Sequence, residues 1–156
     1  SKPLKNKIDK GQIRNDIDVN WIDDVILLIK ADVFSEVGMH DEDYFMYVEE
    51  TDLSYRLIRN GYGLKICASS KVWHKGHASS GGGEKVAGAF INEFVAYYIV
   101  RNRILFFRKN ISVIFFPFIV LHILVFFTIQ SIFALRRKNY KIITSMVKGI
   151  LWHLKN

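Results

Sequence analysis

Asp41-Glu42-Asp43-Tyr44-Phe45-Met46-Tyr47-Val48-Glu49-Glu50-Thr51-Asp52-Leu53-Ser54-Tyr55-Arg56 sets six carboxylates within twelve residues, around the apolar block Phe45 to Val48. A solvated acidic face would not carry that block. The apolar side chains seek burial and draw their charged neighbours towards an interior or a cleft. There a carboxylate is costly unless it pairs with a cation, binds a metal or takes a proton. The second half of the stretch has the signals of a helix start. Glu49, Glu50 and Asp52 fall in a first turn, where the helix dipole favours negative charge. Leu53 and Leu57 lie four apart on one face, Asp52 and Arg56 are spaced to pair, and Gly61 stops the helix after Asn60.

Working outward, Trp21 to Lys30 (WIDDVILLIK) reads as a buried strand, and Asp32 to Val37 as a short helix closed by Gly38. Tyr62 to Cys67 and Lys71 to His74 read as two further strands. Residues 1–18 are polar and aperiodic, a lead-in loop. Three successive glycines, Gly81 to Gly83, make a loop that could cover a site. Phe90 to Lys109 has a helical pattern, its apolar face bordered by Arg101, Asn102 and Arg103.

The formal charge of +7 hides a division. Residues 1–84 hold 11 Lys/Arg against 14 Asp/Glu, and residues 85–156 hold 11 against the single acid Glu93. A basic half suggests an anionic partner. Its apolar content selects which one: residues 111–135 form 25 positions without Lys, Arg, Asp or Glu. Such a helix is roughly 37 Å long, against a hydrocarbon core of roughly 30 Å. Nucleic-acid binding needs no such stretch, so membrane lipid is the expected partner and nucleic acid is not; the alternative is a helix buried in a soluble core. Basic residues flank both ends, and one crossing would leave one cluster on the wrong side. A hairpin bent near Pro117, or a helix lying in the interface, keeps both on the cytoplasmic side. Cys67 is the sole cysteine, which excludes an intramolecular disulfide and a cysteine-based zinc site. The start of the chain has no secretory pattern.

Several side chains are candidates for chemistry. Glu49, Glu50 and Asp52 could serve as a general base with supporting acids, or simply as helix-start charge. A calcium loop opening at Asp41-x-Asp43 fails, because Met46 stands where its glycine belongs. His74, at a strand end, could ligate a metal; His77, further into its loop, has the weaker case, and His122 has no assigned role. Arg101, Asn102 and Arg103 could bind phosphate or lipid headgroups, or form a solvated helix face.

Taken in order, WIDDVILLIK, Val33-Phe34-Ser35-Glu36-Val37-Gly38, the acidic stretch, Gly61-Tyr62, Val72-Trp73-His74-Lys75-Gly76 and Tyr97-Tyr98-Ile99-Val100-Arg101-Asn102-Arg103 resemble the acceptor-side half of family 2 glycosyltransferases, in the bacterial rhamnosyltransferase-like branch. The resemblance covers about residues 19–109 and implies an α/β chain. That chain would be the C-terminal portion of a GT-A nucleotide-sugar transferase fold followed by membrane-associated helices. Its divisions would be a lead-in at 1–18, the acceptor-side part at 19–84, an amphipathic basic helix at 85–110, an apolar membrane segment at 111–135 and a basic tail at 136–156.

By the same resemblance the chemistry is inverting transfer of a sugar from a nucleotide-sugar donor to a saccharide or lipid-linked acceptor. The setting would be envelope polysaccharide synthesis at the cytoplasmic face of a bacterial inner membrane. Glu50 takes the place of the base, and Glu49 orients the acceptor or the base. Asp52, Trp21, Asp24 and Arg101 would contact substrate, and His74 would ligate a divalent cation, Mn or Mg. Two departures stand out. Asp24-Val25 replaces a small Gly-Ala pair, and the nucleotide-binding half with its Asp-x-Asp motif has no counterpart in residues 1–20. The expectation is a C-terminal part of an enzyme, weakly active or inactive by itself. The competing expectation is a catalytically inactive, membrane-anchored interaction module.

Overall fold

The structure, a computed structural model, describes residues 11–23, 25–73, 90 and 92–155, and its chain divides into two units. The first takes the chain up to Phe45 and then Glu49–His74; the second takes Met46–Val48 and Lys75–Asn156. The described residues are mostly helical, with one small antiparallel sheet, a mixture of helix and strand.

In the first unit, β1 (Ile17–Val19) pairs antiparallel with β2 (Leu64–Ile66), Ile17 opposite Ile66 and Val19 opposite Leu64. Helices α1 (Ala31–Glu36) and α2 (Glu49–Arg59) complete it, with a 3-10 turn at Glu42–Tyr44. The core is Val37, Leu53, Leu57 and Leu64, with Val19, Ile22, Leu27, Ile29 and Phe34 packed around it. Both helices stop as the glycines predict. The Tyr62 N–H reaches back to Leu57 O and Gly61 N–H to Ile58 O, with Gly61 at φ 85°, a left-handed residue that costs a glycine nothing. Gly38, at φ 87°, closes α1 in the same way.

Three expectations need correction here. Trp21 to Lys30 is not a strand among the described residues, and Lys71 to Trp73 is not one either. The lead-in, expected to be loop throughout residues 1–18, supplies β1 at its end. The physical reason is pairing. A strand needs a neighbour for its backbone groups, and β2 has taken β1 as its partner. The 21–30 segment instead turns Ile22, Leu27 and Ile29 to the core and leaves Leu28 almost wholly exposed, at 96%.

In the second unit, α3 (Glu93–Asn110), α4 (Phe116–Arg136) and α5 (Tyr140–Leu151) share a core of Val95, Ala96, Val100, Ala134, Ile142 and Met146. Asn92 caps α3 by accepting the Val95 N–H at 3.0 Å. Of the two arrangements expected for this segment, the bend near Pro117 is not seen: α4 runs unbroken, because Pro117 stands in its first turn, where the missing N–H was never needed. The basic tail expected at 136–156 contains a full helix, α5, which lies against α3. Gly149 permits this approach. A Cβ there would stand 2.8 Å from Tyr97 O and 3.2 Å from the Arg101 nitrogen. Buried Asn102 donates from Nδ2 to Met46 O and Tyr47 O, both at 2.7 Å. It thereby braces a turn in which Tyr47 and Val48 take φ of 68° and 75°, strained values for residues with a Cβ.

Residues Trp152–Leu154 end the unit in a 3-10 turn. Arg108 Nη1 donates to His153 Nδ1 at 2.9 Å, and His153 Nε2 donates to Arg101 O at 2.8 Å, which requires the neutral ring with its proton on Nε2. Burial holds the His153 pKa below the ordinary imidazole range, the charges of Arg108 and Arg101 add to the lowering, and the hydrogen bond to Arg101 opposes it.

Two predictions follow from this packing. Gly149→Ala forces Cβ onto backbone and is expected to cost about 1–3 kcal/mol, read as a lower thermal midpoint against an exposed Lys148→Ala control. Because the folded pKa of His153 is depressed, its contribution is full above the unfolded value of about 6.5 and is lost as pH falls through the folded value. The thermal midpoint of the wild type should fall on acidification from pH 7.5 to 5.5, and His153→Gln should flatten that fall.

Candidate functional site

The first turn of α2 divides its three acids. Asp52 points inward and is 2% exposed. Its Oδ1 accepts the Tyr44 hydroxyl at 3.1 Å and its Oδ2 accepts Arg56 Nε at 2.7 Å. The rest of the Arg56 guanidinium continues to the turn after α1, donating from Nη1 to Val37 O and from Nη2 to Met39 O, the latter at 2.6 Å. One carboxylate thus joins the end of α1, the 3-10 turn and α2. Burial raises the Tyr44 pKa far above the ordinary phenol range, and the Asp52 charge and hydrogen bond raise it further. Tyr44 therefore keeps its proton and acts as a donor.

Glu49 and Glu50, both half-buried, stand in the same turn, three and two residues before Asp52. Glu50 lines a cavity of about 10 Å³ together with Ile22, Leu27, Leu53, Ser54 and Leu57. That is room for about one water. The 21–22 segment is held beside it: Trp21 Nε1 donates to Thr51 Oγ1 at 3.0 Å, and Ile22 N–H donates to Ser54 Oγ at 3.2 Å. Ile22, Leu27, Leu57 and Leu64 also line a groove of about 940 Å³, whose wall carries Trp21, Asp23, Lys30 and Lys65. A volume of that size is at the upper end of the range of small-molecule sites.

The structure therefore brings Glu50 and Trp21 together through Thr51, Ile22 and the shared wall. Asp52 is locked in the interior, with the Arg56 pairing that its spacing predicts. Asp24 and His74 lie outside the described residues. Arg101 belongs to the second unit and is buried there, its guanidinium carbon 4.6 Å from the Trp152 ring centroid and 5.4 Å from that of Tyr98. Among the described residues no three His, Cys, Asp or Glu side chains converge on a point that could hold a metal ion. The residue expected to ligate the divalent cation, His74, is not among them.

Sequence reasoning missed Tyr44, Thr51 and Ser54. Tyr44 had no visible signal, because the partner of a buried hydroxyl is set by the turn between them. Thr51 and Ser54 had one: short hydroxyl side chains beside apolar positions at the start of a helix often bond to neighbouring chain.

No protein-family model matches the chain, and no solved structure matches it. Curated relatives do. The chain is 31% identical over 115 residues to rhamnosyltransferase WbbL of Escherichia coli K12, a match covering 72% of this chain and 44% of that protein. It is 36% identical over 62 residues to N-acetylglucosaminyl-diphospho-decaprenol L-rhamnosyltransferase of Mycobacterium tuberculosis, covering 39% of this chain and 20% of the relative. The chain is thus similar to rhamnosyltransferases over part of its length, and it spans less than half the length of each.

Asp52 has a structural task, which mutation can separate from Glu49 and Glu50. Asp52→Ala strands Arg56 and the Tyr44 hydroxyl and is expected to destabilise the first unit by about 3 kcal/mol, read as a lower denaturant midpoint. Glu49→Gln and Glu50→Gln should leave that midpoint within about 0.5 kcal/mol of wild type.

Proposed function

We propose that the chain is the acceptor-side, C-terminal part of a family 2 glycosyltransferase of GT-A fold that transfers L-rhamnose, with inversion, from a nucleotide-sugar to a prenyl-diphosphate-linked saccharide. The observation that carries this reading is the position of Glu50. It stands half-buried on the first turn of α2, at the cavity beneath the Trp21–Ile22 edge, while Asp52 is spent on structure. The partial similarity to two proteins named as rhamnosyltransferases supports the choice of reaction, and the name of the mycobacterial one supports the class of acceptor.

In this reading the Glu50 carboxylate accepts the proton of an acceptor hydroxyl. The freed oxygen attacks the anomeric carbon from the side opposite the leaving group. The bond from that carbon to the nucleoside diphosphate breaks, and the diphosphate leaves with the electron pair. Glu49 orients the acceptor, and Trp21 offers an aromatic face beside the groove for a sugar ring. A divalent cation, Mn or Mg, would neutralise the departing diphosphate, with His74 as its candidate ligand. The donor-binding half belongs to that part of the relatives which this chain does not span.

The same reading places the protein at the cytoplasmic face of a bacterial inner membrane, where a prenyl-linked acceptor is found. Val113–Arg136 supports it, being long and apolar enough to cross a membrane and only 6% buried. Membrane lipid is therefore a proposed partner.

The test is transfer of labelled rhamnose from its nucleoside-diphosphate donor to N-acetylglucosaminyl-diphospho-polyprenol, using membranes that contain the protein together with the donor-binding half. Glu50→Gln should lower the rate at least about 100-fold with the unfolding midpoint unchanged. An unaltered rate in Glu50→Gln would remove the base from this position, and the catalytically inactive anchoring module would then be the better account.

A further inference from the structure

The second unit contains a charge whose position decides how α4 meets a membrane. Arg103 extends from α3 so that its guanidinium carbon lies 4.0 Å from the Phe126 ring centroid, and its Nη1 donates to His122 Nε2 at 2.9 Å. Phe126 is the middle residue of Phe116–Arg136. Burial draws the Arg103 pKa down, yet an arginine remains charged. The one acid in residues 85–156, Glu93, stands ten positions earlier on α3, roughly 15 Å away along the helix. Among the described residues the guanidinium, at the mid-level of α4, has no carboxylate partner.

A crossing helix puts its middle at the bilayer centre. If α4 crossed, Arg103 would go there with it, alongside Arg101 and Asn102. A guanidinium at that depth shifts the insertion equilibrium against crossing by roughly a hundredfold. Crossing would also strand one of two basic clusters, Arg108 with Lys109 or Arg136 to Lys138, on the far side.

The faces of α4 agree with a different arrangement. Phe118, Leu121, Leu124, Val125, Ile129 and Ile132 recur every three or four residues and are all exposed. Two polar residues bond within the unit: His122 engages Arg103, and buried Gln130 accepts the Phe90 N–H at 3.2 Å, whereas exposed Thr128 donates to Leu124 O within the helix. Arg137 follows the helix and donates to Phe90 O at 3.1 Å. The apolar stripe is thus one outward side of a three-helix unit whose cations lie at its other sides and ends.

We infer that α4 lies flat in a single leaflet, its Phe118–Ile132 stripe among the acyl chains and Arg103 and both basic clusters at the level of anionic headgroups. The inference rests on the membrane reading above. In that arrangement the exposed apolar side of α4 is buried and both basic clusters meet anionic lipid, two contributions that act together.

The experiment is labelling of single cysteines with a membrane-impermeant maleimide. In a Cys67→Ser background, Ser112→Cys and Lys141→Cys mark the two ends of α4, both at exposed positions. The in-plane arrangement predicts that both thiols react in inside-out inner-membrane vesicles and neither reacts in intact spheroplasts. One thiol reacting from each side would overturn the inference while leaving membrane association intact. Protein recovered in the soluble fraction would overturn both. A second pair, Lys109→Cys and Lys138→Cys, repeats the reading should either first variant fail to accumulate.

Discussion

The Asp52 carboxylate is the interaction on which the first unit depends. It is taken out of water, and a buried charge is tolerated only with partners of good geometry. Tyr44 supplies a hydrogen bond on one oxygen and Arg56 a charged one on the other, and Arg56 uses its remaining donors on the carbonyls of Val37 and Met39. Those carbonyls end α1 and would otherwise be left over. Three backbone segments are thereby held in one register. The first turn of α2, with Glu49 and Glu50, is fixed as a consequence.

That fixing gives the functional reading its physical content. A general base is useful only if its position is set to within a fraction of an ångström, since misplacement by about 1 Å costs on the order of a hundredfold in rate. Trp21 and Ile22 are tied to the same helix through Thr51 and Ser54. The proposed base and the edge of the groove therefore move as one body. The proposed chemistry asks for that arrangement: a carboxylate beside a cleft, backed by an interior pair that takes no part in the reaction.

Much of this was legible in the residues. The α2 boundaries, the glycine stops at Gly38 and Gly61, and the Asp52–Arg56 pair follow from spacing and local backbone preference, and all are found. The 21–30 run misled because β-branched composition records a taste for a strand environment and does not supply the neighbouring strand. α5 was hidden within a tail read by its charge, although Ile142, Met146 and Gly149 have helical spacing. Asn102 was read with its charged neighbours as a surface group, whereas it is buried and braces the 46–47 turn. Arg101 likewise stacks on Trp152 in the interior of its unit. Partners supplied by a distant part of the chain leave no trace in local pattern, and these cases share that cause.

The second unit solves a different problem, the burial of one side of an apolar helix by helices rich in cations. Arg103 stands over the Phe126 ring and donates to His122, which together hold its charge against α4. The central claim, however, concerns chemistry: one carboxylate base and direct displacement at the sugar. It is tested most directly by the anomeric configuration of the first-formed product, determined by NMR after transfer of L-rhamnose to a prenyl-diphosphate-linked acceptor. The account predicts a configuration inverted relative to the donor. A retained configuration would contradict it, because a single attack from the side opposite the leaving group inverts the anomeric carbon.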